Sequence, residues 1–220
     1  RRSALRSPRR SPRWRSWRPG PRPSRWRPTL ATRPRRVAVT GGIGAGKSEA
    51  LAAFRRQGAA VLSADEIVHR LYACDREVRE ALLARYGTTD RSRIGAIVFS
   101  DPDELAWLEG LIHPRVRREY LAWLEAVADT DLAVVEVPLL YETGAERLFD
   151  AVVLVTAPEE VRRQRAGAWV EERSRRLIPD EEKARRADFV YLNEGTLEEL
   201  DAFVAEVARR LRAGTSRRGR

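Results

Sequence analysis

Methionine is absent from all 220 residues, cysteine and asparagine occur once each, and residues 1–36 contain no acid. Each absence removes a class of explanation. One thiol, Cys74, cannot form an intramolecular disulfide, so a cross-linked scaffold is excluded and a reducing, cytoplasmic compartment is expected. Its polar context, "YACDRE", places no histidine beside it and does not mark it as a nucleophile. Apolar runs such as "LAVVEVPLL" are far too short to span a bilayer, so no membrane partner is expected. The lone asparagine, Asn193, lies in "NEG", and the Asn-Lys-x-Asp element by which regulatory GTPases read guanine is therefore missing. The lack of methionine extends to position 1 and leaves the start unmarked; initiation at Leu30 or Val37, just ahead of the first strand, is the expectation.

The missing acids also explain the net charge of +10. Of 42 Lys and Arg, 14 are arginines within residues 1–36, leaving 28 to face the 32 Asp and Glu of the remainder. The basic character thus belongs to a tail, and the rest of the chain is mildly acidic, with no basic surface for nucleic acid. The tail holds 7 of the 12 prolines and three tryptophans without apolar periodicity, a composition expected to be disordered. Arginine interleaved with tryptophan suits single-stranded nucleic acid, and an acid-free Arg/Ser-rich segment suits an organellar transit peptide, although its prolines interrupt an amphipathic helix. The expectation carried forward is that residues 1–36 are upstream sequence outside the native protein. Residues 213–220 form a second, short basic tail.

What is present begins at "RRVAVT", a β-branched run that reads as a buried strand. It leads directly into "GGIGAGKS", Gly41 to Ser48, and then into "EALAAFRRQG", which has helical spacing and closes at Gly58. Strand, glycine loop and helix give the context in which Gly-x4-Gly-Lys-Ser is a phosphate-binding loop. Its backbone N–H groups, from Gly41, Gly42, Ile43, Gly44, Ala45 and Gly46 onward, face phosphate, and the helix N-terminus adds its dipole. Lys47 reaches the β- and γ-phosphates, and the Ser48 hydroxyl suits Mg²⁺. ATP and Mg²⁺ are the cofactors expected.

A second strand, "AAVLSAD", is expected to end at Asp65, on the edge that carries the phosphate loop. Asp65 has two readings from sequence alone: a carboxylate that orients an attacking hydroxyl or holds water on Mg²⁺, or a helix N-cap. Helix is expected from Asp75 to about Ala128, broken at Gly87, Gly95, Pro102 and His113–Pro114, with Leu105, Leu108, Leu111 and Ile112 as a core stripe. Strands follow in "LAVVEVPLLYE", ending at Pro138, in "DAVVLVTAP" and in "ADFVYLNEG"; a last helix starts from Thr196. The alternation implies an α/β fold, a three-layer sandwich around a five-stranded parallel sheet with a helical acceptor-side subdomain. The Arg-crowded residues 162–180 occupy the place of a mobile lid that offsets γ-phosphate charge.

With these pieces in order, the chain from Val37 to Leu211 resembles the dephospho-CoA kinases, P-loop kinases of the nucleoside-monophosphate-kinase type. The matching stretches are "VTGGIGAGKS", "SADEIVHRLY", "DRSRIGAIVFSDPDELAWLEGLIHP", "VEVPLLYE" and "ADFVYLNEGTLEEL". The resemblance implies ATP-dependent phosphorylation of the 3′-hydroxyl of the dephospho-CoA ribose, the last step of coenzyme A synthesis. It implies that ATP and dephospho-CoA are the small-molecule partners, and that residues up to Glu49 hold the ATP phosphates. It makes Asp65 the carboxylate at the acceptor hydroxyl and Arg165 a lid arginine. His113, Pro114, Pro138, Leu139, Leu140 and Glu142 then border the acceptor pocket. Departures from the family pattern are Glu49, Ser63, Trp169 and Leu177; the reaction class is untouched by them. A P-loop kinase for another small alcohol, such as a nucleoside, shikimate or gluconate, is the alternative.

Overall fold

Small and β-branched residues alternate along the strands toward two separate cores, as a sheet covered on both faces requires. The computed structural model describes residues 33–166 and 177–213. Its elements are β1 (Arg35–Thr40), α1 (Lys47–Arg56), β2 (Ala60–Ser63), α2 (Ala64–Cys74), α3 (Arg76–Tyr86), α4 (Arg91–Ser100) and α5 (Pro102–Ala126). They continue with β3 (Leu132–Glu136), a 3-10 turn (Ala145–Leu148), β4 (Ala151–Thr156), α6 (Glu159–Ala166), α7 (Asp180–Arg186), β5 (Phe189–Leu192) and α8 (Leu197–Ala213). The strands pair in parallel in the order β2-β3-β1-β4-β5. Val37, Val39, Leu132, Val134 and Val153 pack with α1 and α8, while Ala38, Ala133, Val135 and Val152 face the core built by α2 to α5. The expected three-layer fold is the one observed.

The order positions the site. The chain leaves β1 toward β3 and β2 on one side and later returns to β4 and β5 on the other, so the carboxyl end of β1 is a switch point. The glycine loop emerges there. Gly41 runs so close to β4 that a Cβ at this position would overlap the Val155 carbonyl oxygen. That neighbour is backbone in a central strand and cannot yield.

Four expectations change. Arg35 and Arg36 belong to β1, and Arg33 makes two 2.9 Å hydrogen bonds to Asp150, so the ordered domain begins ahead of residue 36. β2 stops at Ser63, and Asp65 lies in the first turn of α2 rather than at a strand end. Gly95 falls within α4, whose turns are held by flanking Ile94 and Val98 in the core. His113–Pro114 falls within α5, a single 25-residue helix; Ile112, Val116 and Tyr120 on its buried face hold it together across the hydrogen bond that proline cannot donate. Breaks do occur at Gly87, a left-handed C-cap, and at Pro102, the first residue of α5. Residues 1–32, 214–220 and 167–176, including Trp169 and Arg173, lie outside the described residues.

Gly41→Ala is expected to lower stability by about 2 kcal/mol or more through overpacking against fixed backbone. Gly110→Ala should raise it by up to about 1 kcal/mol, because Gly110 is helical and a Cβ there meets nothing within 4 Å. Urea midpoints of the two variants check both signs.

Candidate active site

The phosphate loop is held from three sides. Gly46, at φ 99°, is the left-handed N-cap of α1, and any side chain there would collide with the amide of Asn193. That amide is buried and donates to the Ala45 carbonyl oxygen at 2.8 Å, while the Asn193 N–H donates to the Thr156 carbonyl oxygen at 2.7 Å. The end of β5 therefore clamps the loop to the end of β4. From α6, an Arg162 Nη1 atom lies 2.7 Å from where a Cβ on Gly42 would sit, and an Arg165 Nη1 lies 3.8 Å from the same point on Gly46. The two arginines are three residues apart on α6 and share a face.

Lys47 opens α1 and donates to the Gly42 carbonyl oxygen at 3.0 Å. Burial lowers its pKa; the charges of Glu136, Asp65 and Asp180 oppose that shift, and Lys183 adds to it. These groups converge from β3, α2 and α7. Glu136, the last residue of β3, is 2% exposed and accepts a 3.0 Å hydrogen bond from the Ser63 hydroxyl. Burial raises its pKa, offset by the Lys47 charge and the Ser63 bond. Asp180 accepts from the Thr156 hydroxyl at 2.5 Å.

Ser63 is the N-cap of α2, and its hydroxyl goes to Glu136 instead of to the helix. Asp65 makes no capping bond and is exposed, so the cap explanation for this carboxylate fails. It projects at the meeting point of two cavities. One, of about 390 Å³, is walled by α2, α5 and the segment after β3, with His113, Pro114, Pro138 and Leu139 in its lining. The other, of about 700 Å³, lies among α2, α4 and α5. A phosphate loop with a half-buried lysine thus lies in the same region as a carboxylate that opens onto two cavities.

The dephospho-CoA kinase (CoaE) family model matches residues 35–199, which include the phosphate loop, Asp65 and the walls of both cavities. The chain belongs to the dephospho-CoA kinase family. It is similar to the dephospho-CoA kinase of Deinococcus radiodurans, 40% identical over 199 residues that span 84% of this chain and 96% of that protein. The dephospho-CoA kinase of Novosphingobium aromaticivorans is 39% identical over 194 residues, 82% of this chain and 96% of that one. A crystal structure of a Thermus thermophilus protein matches with a TM-score of 0.68 at 36% identity, over 81% of this chain and 98% of that chain. Dephospho-CoA kinase from Campylobacter jejuni matches with a TM-score of 0.60 at 26% identity and the same coverage. The chain is accordingly a kinase of coenzyme A synthesis that uses ATP, and kinases for shikimate, gluconate or nucleosides give way to that reading.

Within this dephospho-CoA kinase fold, Lys47, Asp65, His113, Pro114, Pro138 and Leu139 come together as the sequence suggests, and Ser48 and Glu49 sit exposed on the first turn of α1. Leu140 and Glu142 line neither cavity. Leu140 is fully buried in the core, and Glu142 turns away to meet α7, accepting from the Ile178 N–H at 3.1 Å. Its Oε1 lies 2.8 Å from Nζ of Lys183, which is 0% exposed, though the two are not aligned for a hydrogen bond.

Glu136, Arg162, Asn193 and Lys183 went unrecognised in the sequence as site residues. Glu136 had a signal, an acid inside the apolar run "LAVVEV" at a strand's carboxyl end. Lys183 had one too: the chain contains only two lysines, Lys47 and Lys183, among its 42 basic residues. Lys183 is 0% exposed and Lys47 is half-buried, whereas the rest of the positive charge is carried by arginine.

Lys183→Met leaves the Glu142 carboxylate without its counter-charge and should cost about 3–5 kcal/mol. Lys183→Met combined with Glu142→Leu should lie closer to wild type than the single variant does. Unfolding midpoints of the three proteins measure this; an undisturbed single variant would show that the pair is not a strut between α7 and the segment after β3.

Proposed function

We propose that the protein transfers the γ-phosphoryl group of ATP to the 3′-hydroxyl of the dephospho-CoA ribose, giving coenzyme A and ADP, with Lys47, Asp65 and Arg165 as the catalytic residues. The observation that carries this reading is the placement of Asp65 between the half-buried Lys47 and the two cavities. The loop from Gly41 to Ser48, with Glu49 following, holds the ATP phosphates on its N–H groups. Lys47 leaves the Gly42 carbonyl oxygen to meet charge on the β- and γ-oxygens. Asp65 accepts a hydrogen bond from the acceptor hydroxyl and aims its oxygen in line with the γ-phosphorus. Arg165 closes from α6 onto the same phosphate. Such a site accelerates transfer by positioning and by preorganised charge, and it needs no covalent intermediate.

The residues present suit Mg²⁺. The Ser48 hydroxyl is exposed on the first turn of α1, beside the loop, and Mg²⁺ draws most of its other ligands from phosphates and water. The Ser48 hydroxyl and the Glu136 carboxylate are the oxygen donors that would hold it. Bound there, Mg²⁺ would neutralise charge on the phosphate oxygens. His113, Pro114, Pro138 and Leu139, in the lining of these cavities, would contact dephospho-CoA, with Leu140 and Glu142 behind them. Among the described residues no helix is long and apolar enough to cross a membrane, and Cys74 is a free, exposed thiol. Both features accord with a cytoplasmic place for the reaction.

Purified protein supplied with ATP and Mg²⁺ should convert dephospho-CoA to coenzyme A, and Lys47→Ala should reduce kcat at least about 100-fold with the fold retained. The assay offers dephospho-CoA, shikimate, gluconate and nucleosides side by side. A higher kcat/KM for any of the others would overturn the acceptor assignment.

A further inference from the structure

The two cavities beside Asp65 are separate spaces that share one ridge: Asp65, Val68, Ile112, His113 and Leu139 line both. Their chemistry differs. The smaller is walled mostly by carbon, from Val116, Tyr120, Val137 and Pro138, with Arg117 also in its lining. The larger carries Tyr72, Arg91 and Ser92. Arg91 stands 5.7 Å from the centre of the Tyr72 ring, and among the described residues no carboxylate pairs with it, although Glu109 and Asp65 line the same cavity. An unpaired guanidinium at the wall of a cavity is a ready receptor for phosphate oxygens.

The acceptor has a matching shape. A ribose whose 3′-hydroxyl rests on Asp65 must send its base one way from C1′ and its diphosphate the other way from C5′. Resting on the acceptor reading above, we propose that dephospho-CoA straddles the Asp65 ridge, with adenine in the smaller cavity against Val116 and Tyr120 and the diphosphate in the larger one, bound by Arg91. The roughly 700 Å³ of the larger cavity also leaves room for the start of the flexible arm beyond the diphosphate. Arg91 is then a specificity-determining residue: it reads the charge that separates dephospho-CoA from a plain nucleoside, and a site built to pair with that charge discriminates strongly against acceptors lacking it.

Steady-state kinetics of wild type, Arg91→Ala and Arg117→Ala test the assignment, with adenosine as a competitive inhibitor against dephospho-CoA. Arg117 is the control cation, since it lines the smaller cavity. Arg91→Ala should raise the KM for dephospho-CoA about 10- to 100-fold, the scale of losing a charged hydrogen-bonded pair. It should leave the KM for ATP and the Ki of adenosine within about 2-fold, because neither depends on the acceptor diphosphate. A merely structural role would disturb all three together. Unchanged KM for dephospho-CoA, parallel loss of adenosine binding, or a larger acceptor defect in Arg117→Ala than in Arg91→Ala would each overturn the proposal. A wild-type enzyme that prefers another alcohol would instead defeat the acceptor reading beneath it.

Discussion

The phosphate loop can take its curve only because nothing protrudes from it where β4 and β5 press closest. Gly41 abuts the Val155 carbonyl, Gly46 abuts the Asn193 amide, and Asn193 ties the Ala45 carbonyl to the end of β4. With the loop fixed in this way, Lys47 enters α1 at a set place and its ammonium returns to the Gly42 carbonyl oxygen. The parallel sheet contributes by order as much as by stability. Because β1 lies between β3 and β4, one loop meets Glu136 and Asp65 from one side and Arg162, Asp180 and Arg165 from the other.

Those charges are costly to gather. Glu136 and Lys47 are each disfavoured in their ionised forms by burial and favoured by one another. Lys183 and Glu142 brace the same region from behind, linking α7 to the segment after β3. A site of this kind stores poise rather than stability, as expected where transfer depends on preorganised charge.

Much of this was legible in the residues because it depends on local chemistry. The glycine pattern, the strand before it and the helix after it specify the phosphate loop without reference to the rest of the chain. Short, largely β-branched apolar runs marked the five strands. Misreadings arose where tertiary packing outweighed local preference. Pro114 suggested a break, yet the buried face of α5 carries the helix through it. Asp65 looked like the end of a strand or a cap, yet Ser63 ends β2, caps α2 and sends its hydroxyl to Glu136. Asn193, notable in the sequence only as the lone asparagine in "NEG", acts across 148 residues of sequence on Ala45, a partnership that no spacing rule encodes.

The account stands on Asp65 acting on the acceptor hydroxyl rather than holding α2 together. Asp65→Asn keeps the size and the helix position and removes only the charge. Equilibrium binding of ATP and single-turnover transfer to dephospho-CoA, measured on the same preparation, separate the two roles. ATP affinity should stay within about 3-fold of wild type while the transfer rate falls about 100-fold or more, the usual worth of a positioned general base. Near-normal transfer in a variant that has merely lost thermal stability would contradict it.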